Sequence, residues 1–210
     1  MKYTHLFWDF DGTLYNSYPQ MCAALMRMLD ESGLPVPSGQ EALSLLKHSV
    51  FYAVSHYAEA FDRDVQELLA CFHKHHRMEM SFPPYDGLED CLKTLAQAGY
   101  RHYLYTHRDQ LAVELLQRDG LWGYFSGAVT SCDGFPHKPA PDALLFLQKK
   151  HRLDPACCIM IGDRGIDIQS GLNAGMAGAV FDPDGFYAGP QPVLWAASMK
   201  ELQEKLLSIS

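Results

Sequence analysis

The chain has 210 residues, 48% of them hydrophobic, and a formal net charge of -8; this allows one sizeable core with an inserted module and excludes a surface built to dock on nucleic acid or acidic lipid. Its six cysteines, Cys22, Cys71, Cys91, Cys132, Cys157 and Cys158, form no Cys-x-x-Cys pair and lie largely in apolar segments, the pattern of free thiols in a reducing cytoplasm. No apolar run approaches the ~20 residues of a spanning helix, and "MKYTHLFWDF" is too short and acidic for a signal peptide, so a cytoplasmic protein without membrane or nucleic-acid partners is expected.

In chain order, "THLFW" (4–8) reads as a buried strand, and Asp9 and Asp11 follow it directly in "DFDGT". From Tyr15 to Phe82 the pattern is helical only: Cys22, Leu25, Met26 and Leu29, then Ala42 to Leu46, then Val54, Tyr57 and Phe61, then Val65, Leu68, Leu69 and Phe72. "FPPYDG" punctuates the return. A helical face at Leu88, Leu92, Leu95 and Ala96 leads into "YRHYLYT" (100–106), and one at Ala112, Leu115 and Leu116 into "GAVTS" (127–131). "CCIMIG" (157–162) and "AGAVF" (177–181) complete the strands. Strand alternating with helix predicts an α/β, doubly wound parallel sheet, with ligands at the carboxyl ends of its strands. The division predicted is a core of residues 1–14 and 83–210 and an inserted helical cap of residues 15–82.

The polar signals fall at those strand ends: Asp9 and Asp11, Thr106 after "YRHYLY", Lys138 in "GFPHKPAPD", and Asp163 with Asp167 in "IMIGDRGID". One such carboxylate is as easily a helix cap; four signals in register are harder to explain that way. Carboxylates converging on one site repel unless a hard divalent cation sits among them, and oxygen-only ligation suits Mg2+. An ionised Asp9 then attacks a phosphate monoester held by the metal, Lys138 and the Thr106 hydroxyl, giving an aspartyl-phosphate. Asp11 protonates the leaving alcohol and later deprotonates the water that opens the intermediate.

The order "DFDGT", Thr106, "HKPAPD" and "GDRGIDIQSGLNAGM" resembles the haloacid dehalogenase superfamily of aspartate-nucleophile hydrolases over nearly the whole chain. The helical insert directly after the first motif, with Lys-Pro-x-Pro-Asp and Asn-Ala-Gly, resembles the phosphoglycolate phosphatase and β-phosphoglucomutase group. The resemblance implies a Rossmann-like core with a cap, Mg2+ as cofactor, and a small phosphorylated metabolite as partner of a monomer or homodimer. It implies Asp9 as nucleophile and metal ligand, and Asp11 as acid/base with its carbonyl on the metal. Thr106 and Lys138 fall on the phosphoryl oxygens, Asp163 on the metal, and Asp167 on a metal-bound water or Lys138. His107 and Arg108 stand where the group often has a small or amide residue and a lysine, and Asn16 where it often has Asp. His107 and Arg108 are therefore candidate substrate contacts.

Other readings are weaker. The second Asp-x-Asp-Gly, at Asp182 and Asp184, contains Pro183 and reads as a turn. His73, His75 and His76 fall on a helix whose apolar face places His76 inward and His75 outward. Lys47, His48 and Arg164 read as either substrate contacts or surface charges. No phosphate-binding Gly-x-x-x-x-Gly-Lys loop and no Gly-x-Gly-x-x-Gly spacing appear. A phosphosugar mutase and a non-catalytic phosphate-binding regulator are the rivals to a phosphatase, and dehalogenase is weaker because it needs no metal.

Overall fold

The computed structural model describes residues 2–78 and 82–209. Within it, contacts divide the chain into two compact units, one of Met1–Tyr15 with Pro84–Ser210 and one of Asn16–Pro83.

In the first unit the described residues form one parallel sheet of six strands in the order β3-β2-β1-β4-β5-β6. Its centre is β1 (His5–Trp8), whose Leu6, Phe7 and Trp8 are wholly buried. A continuous apolar run is what a strand needs when helices cover both faces. The neighbours are β2 (Arg101–Tyr105) and β4 (Cys158–Gly162), aligned so that Trp8 lies opposite both Leu104 and Ile161. That register brings the three strand ends level. β3 (Phe125–Val129) begins and ends two residues before the predicted run; it stops there because Asp133 Oδ2 accepts from Thr130 N and Thr130 Oγ1 accepts from Cys132 N, which turns the chain out of the strand. β5 (Ala177–Phe181) matches the predicted span. β6 (Leu194–Ala196) was not predicted: it has three residues, too short an apolar stretch to mark a strand, and Trp195 in its middle faces solvent.

A buried polar chain pins the centre of the sheet. Trp8 Nε1 donates to His102 Nδ1 at 3.0 Å, and His102 Nε2 donates to the carbonyl of Leu92 at 3.2 Å. This ties β1 to β2 and to helix α5 (Leu88–Gln97).

In the second unit the described residues form four helices, α1 (Tyr18–Glu31), α2 (Gly39–His48), α3 (Val50–Ala60) and α4 (Val65–Met78). Ser38 and Ser49 cap α2 and α3 by accepting from Glu41 N and Tyr52 N. The unit has its own core of Leu25, Met28, Leu29, Ala42, Leu46, Val54, Leu68 and Phe72. Phe61, predicted to pack inward, falls just past α3 and is exposed. His76 stacks on Phe72. His75, predicted to face outward, instead bonds Glu31 Oε2 at 2.7 Å, beside Lys74 on the same carboxylate. The six cysteines are free. No described helix is long and apolar enough to cross a membrane.

Candidate active site

The chain leaves β1 through a tight turn in which Leu14 N and Tyr15 N both donate to the carbonyl of Phe10. Gly12 supplies the left-handed conformation, φ 75°, which costs a residue with a Cβ far more. Asp9 thereby ends the buried strand with its carboxylate 2% exposed. Opposite it, the loop after β3 delivers Lys138, whose side chain is fully buried. Lys138 Nζ lies 2.6 Å from Asp9 Oδ1, 2.8 Å from Asp167 Oδ1 and 3.0 Å from the carbonyl of Tyr105.

Asp163 leaves β4, and Asp167 lies in the first turn of α6 (Gly165–Asn173), where its Oδ2 accepts from Arg164 N at 3.0 Å. Gly162 makes this approach possible, since a Cβ there would stand 2.3 Å from that of Asp167. Carboxylate oxygens of Asp9, Asp163 and Asp167 lie within 4.8 Å of one another.

Burial raises the Asp9 carboxyl to about 7, against the pull of the Lys138 ammonium, and Asp167 adds to the rise. Burial acts on Lys138 in the opposite sense, but Asp167 and Asp9 outweigh it and hold the ammonium above its ordinary range. Asp167 itself is held below its usual value, because Lys138 and Arg164 overcome its burial. The residues fit a hard divalent cation. Asp9 Oδ2 is buried without a hydrogen-bond partner among the described residues, and the donor set is carboxylate oxygen only. Such a cation would also draw the Asp9 carboxyl back toward its ionised form.

β2 ends in Thr106, His107 and Arg108. Thr106 is 2% exposed and its Oγ1 accepts from Arg108 N at 3.0 Å, which leaves the hydroxyl proton to donate. His107 Nε2 accepts from Lys138 N at 2.8 Å, so the ring braces the lysine loop, and its second face packs on His137. Burial, with Lys138 and His137 nearby, pushes the His107 imidazole down to about 3 and keeps it neutral. Arg108 reaches back across the sheet to Asp11. Its Nη2 lies 2.6 Å from Asp11 Oδ1, and its Nε lies 3.1 Å and 3.0 Å from the two carboxylate oxygens.

Residues 6–181 match the family Haloacid dehalogenase-like hydrolase. The chain belongs to this family. It is 30% identical over 182 residues to the phosphoglycolate phosphatase of Pseudomonas putida, covering 80% of this chain and 65% of that protein, so it spans about two thirds of that relative's length. It is 30% identical over 184 residues to the phosphoglycolate phosphatase of Vibrio vulnificus, covering 80% of this chain and 79% of that one. Among solved structures, a hydrolase from Streptococcus pneumoniae superposes with a TM-score of 0.67 at 28% identity, over 98% of this chain and 99% of that one.

In this haloacid dehalogenase-like hydrolase, Asp9, Lys138, Asp163 and Asp167 form one buried cluster. Thr106 stands at the end of the neighbouring strand, while Asp11 and Arg108 engage each other. That the Tyr105 carbonyl accepts from Lys138 Nζ was not foreseeable, because a backbone acceptor leaves no residue signature. The second Asp-x-Asp-Gly lies in a loop: Asp182 accepts from Gly185 N at 3.0 Å and Tyr187 N at 2.7 Å.

Proposed function

We propose that the chain is a Mg2+-dependent phosphatase of small phosphate monoesters that works through an aspartyl-phosphate on Asp9. The observation that carries this reading is the 2.6 Å contact of the buried Lys138 ammonium with Asp9, beside a carboxylate cluster that fits a cation. Two phosphoglycolate phosphatases among the relatives support a phosphoryl group as the one transferred.

Asp9, Asp163 and the Asp11 carbonyl would hold Mg2+, with Asp167 orienting Lys138 or a bound water. The metal, when bound, supplies positive charge at the phosphoryl oxygens. Lys138 and the Thr106 hydroxyl bind those oxygens and set the ester in line with Asp9. An Asp9 carboxylate oxygen forms the new bond to phosphorus as the bond to the alcohol oxygen breaks, and Asp11 gives that oxygen its proton. Asp11 then takes a proton from the attacking water. The acyl phosphate opens, releasing phosphate and restoring the Asp9 carboxylate. Residues 15–82 act as a cap that limits the substrate to small esters and excludes water. The free cysteines favour a reducing compartment such as the cytoplasm.

The test is hydrolysis of a panel of small phosphate esters by the full chain, with Mg2+ and with excess chelator. Mg2+-dependent turnover that is lost in Asp9→Asn supports the reading; undiminished turnover in either arm overturns it.

A further inference from the structure

We propose that Glu31, Cys71 and His75 form a zinc site, held entirely within residues 16–83 and different in chemistry from the carboxylate cluster of Asp9, Asp163 and Asp167.

The three ligand atoms, a carboxylate oxygen, a thiol sulfur and an imidazole nitrogen, lie within 4.8 Å of one another. Cys71 and His75 are four residues apart on α4, which stacks them a turn apart on one face of that helix. Glu31 is the last residue of α1 and lies 44 residues from His75 in sequence, yet its Oε2 stands 2.7 Å from His75 Nε2. Packing holds the two ligands of α4 in place: the His75 side chain is only 14% exposed, and Cys71 packs against the core of the helical unit. Zinc bonds of about 2.0–2.3 Å set tetrahedral ligand atoms roughly 3.5 Å apart. Side-chain adjustments of about 1 Å therefore complete the site from the separations present.

The donor set selects the ion. Thiolate and imidazole suit a borderline-soft cation such as Zn2+, whereas Mg2+ takes oxygen only. The sulfur also distinguishes the group from an ordinary helix ion pair. Lys74 and His75 already engage the Glu31 carboxylate, and a thiol beside them adds no charge to that pairing. What it adds is a metal ligand. As the sulfur–zinc bond forms, the Cys71 proton passes to solvent. Lys74 competes for the carboxylate, with Nζ 2.8 Å from Glu31 Oε1, but its side chain is 57% exposed and turns into water at the small cost of a surface ion pair. Among the described residues no fourth Asp, Glu, His or Cys joins the three, so water completes the coordination. An ion held this way is exchangeable, and while bound it ties the end of α1 to α4.

The test titrates the full chain with Co2+ as the spectroscopic probe and Zn2+ as competitor. Excess Mg2+ occupies the carboxylate cluster around Asp9, and a phosphine reductant keeps the six cysteines free. One equivalent of Co2+ should give the visible bands of a tetrahedral ion together with a near-ultraviolet thiolate charge-transfer band, and equimolar Zn2+ should erase both. Cys71→Ser should lose the thiolate band. His75→Gln and Glu31→Gln should weaken binding by more than about 100-fold, since even a partner behind a ligand is worth 10- to 100-fold in affinity. Lys74→Ala should tighten it by about 2- to 5-fold, the worth of an exposed pair. Zn2+ should raise the melting temperature of the wild type and not that of Cys71→Ser.

A wild type without the thiolate band overturns the site, and no variant has to fold for that result. A band that survives Cys71→Ser also overturns it, by placing the ion on another cysteine. So does binding unchanged in His75→Gln, and a Lys74→Ala variant that binds no tighter removes Glu31 from the ligand set. The readouts use no ester hydrolysis, so they stand or fall independently of the phosphatase reading.

Discussion

Lys138 and Asp9 lie 129 residues apart in sequence, yet Nζ and Oδ1 stand 2.6 Å apart with the lysine side chain wholly buried. A buried ammonium persists only where anions face it, and Asp9 does so from the end of β1 and Asp167 from the first turn of the helix after β4. The same arrangement leaves the anions in need of the cation.

Lys138→Ala is therefore expected to fail in two measurable ways. Loss of the phosphoryl contact should lower kcat/KM by about 10²- to 10³-fold for every ester, whatever its alcohol. Leaving Asp9 and Asp167 without their cation should also cost about 3–5 kcal/mol of stability. Thermal melts with and without Mg2+ check the second part, since a cation among the carboxylates should restore more stability to the variant than to the wild type. A loss confined to one substrate would remove Lys138 from phosphate binding.

The two Asp-x-Asp-Gly segments should separate cleanly by mutation. Asp9→Asn should abolish turnover. Asp182→Asn should leave kcat/KM within a few-fold and lower stability by about 1 kcal/mol, because Gly185 N and Tyr187 N donate to different oxygens of Asp182 and an amide keeps only one of them. Steady-state kinetics with a denaturation curve decide it, and a folded, inactive Asp182→Asn would put the chemistry at the wrong pair.

Asp11→Asn should slow turnover by roughly 10²- to 10⁴-fold, the range of a general acid/base group. An aryl ester with a good leaving group needs little protonation, so rapid-quench measurements should show a burst close to one equivalent followed by slow release. Equal slowing of phosphorylation for good and poor leaving groups would count against the assignment.

Acid should weaken the fold through His102. Burial pushes its imidazole from 6.5 down to about 4, although the hydrogen bond to the Leu92 carbonyl pulls the other way. Protonation would place a hydrogen on Nδ1, which already accepts from Trp8 Nε1. The folded value lies below the unfolded one, so between these pH values the unfolded chain binds more protons, and stability falls as pH drops from about 6.5 to about 4. The loss through this one group approaches about 3 kcal/mol. His107, pushed down to about 3, adds to it in the same sense. Urea titrations across that window test this: His102→Gln should flatten the slope, and an unchanged slope would exclude the residue.

Much of the sheet was legible because β1, β2, β4 and β5 are buried on both faces and must be written as apolar runs. β6 escaped because an edge strand of three residues with an exposed Trp195 has no such requirement. The gathering of Asp9, Asp163 and Asp167 could be foreseen, since chain direction just past a strand end fixes where a short side chain goes, while Lys138 was expected there from its "HKPAPD" segment. The Arg108 contact with Asp11 could not, because a long side chain on a loop selects its partner by rotamer, which no periodicity records. The bond that His107 makes was hidden in the same way: its ring nitrogen accepts from the backbone amide of Lys138, and amide partners are invisible in sequence.

The place of β1 in the sheet also bears on how the chain is made. β1 emerges first from the ribosome, yet its two neighbours are β2, which begins at Arg101, and β4, which begins at Cys158. An apolar strand ending in Asp9 must therefore wait for β2 while residues 16–100 are synthesised, and for β4 until much of the core has followed. Residues 16–83, which have a core of their own, can fold during that interval. The nascent chain cannot gather the cluster of Asp9, Lys138, Asp163 and Asp167 until the last two have left the exit tunnel.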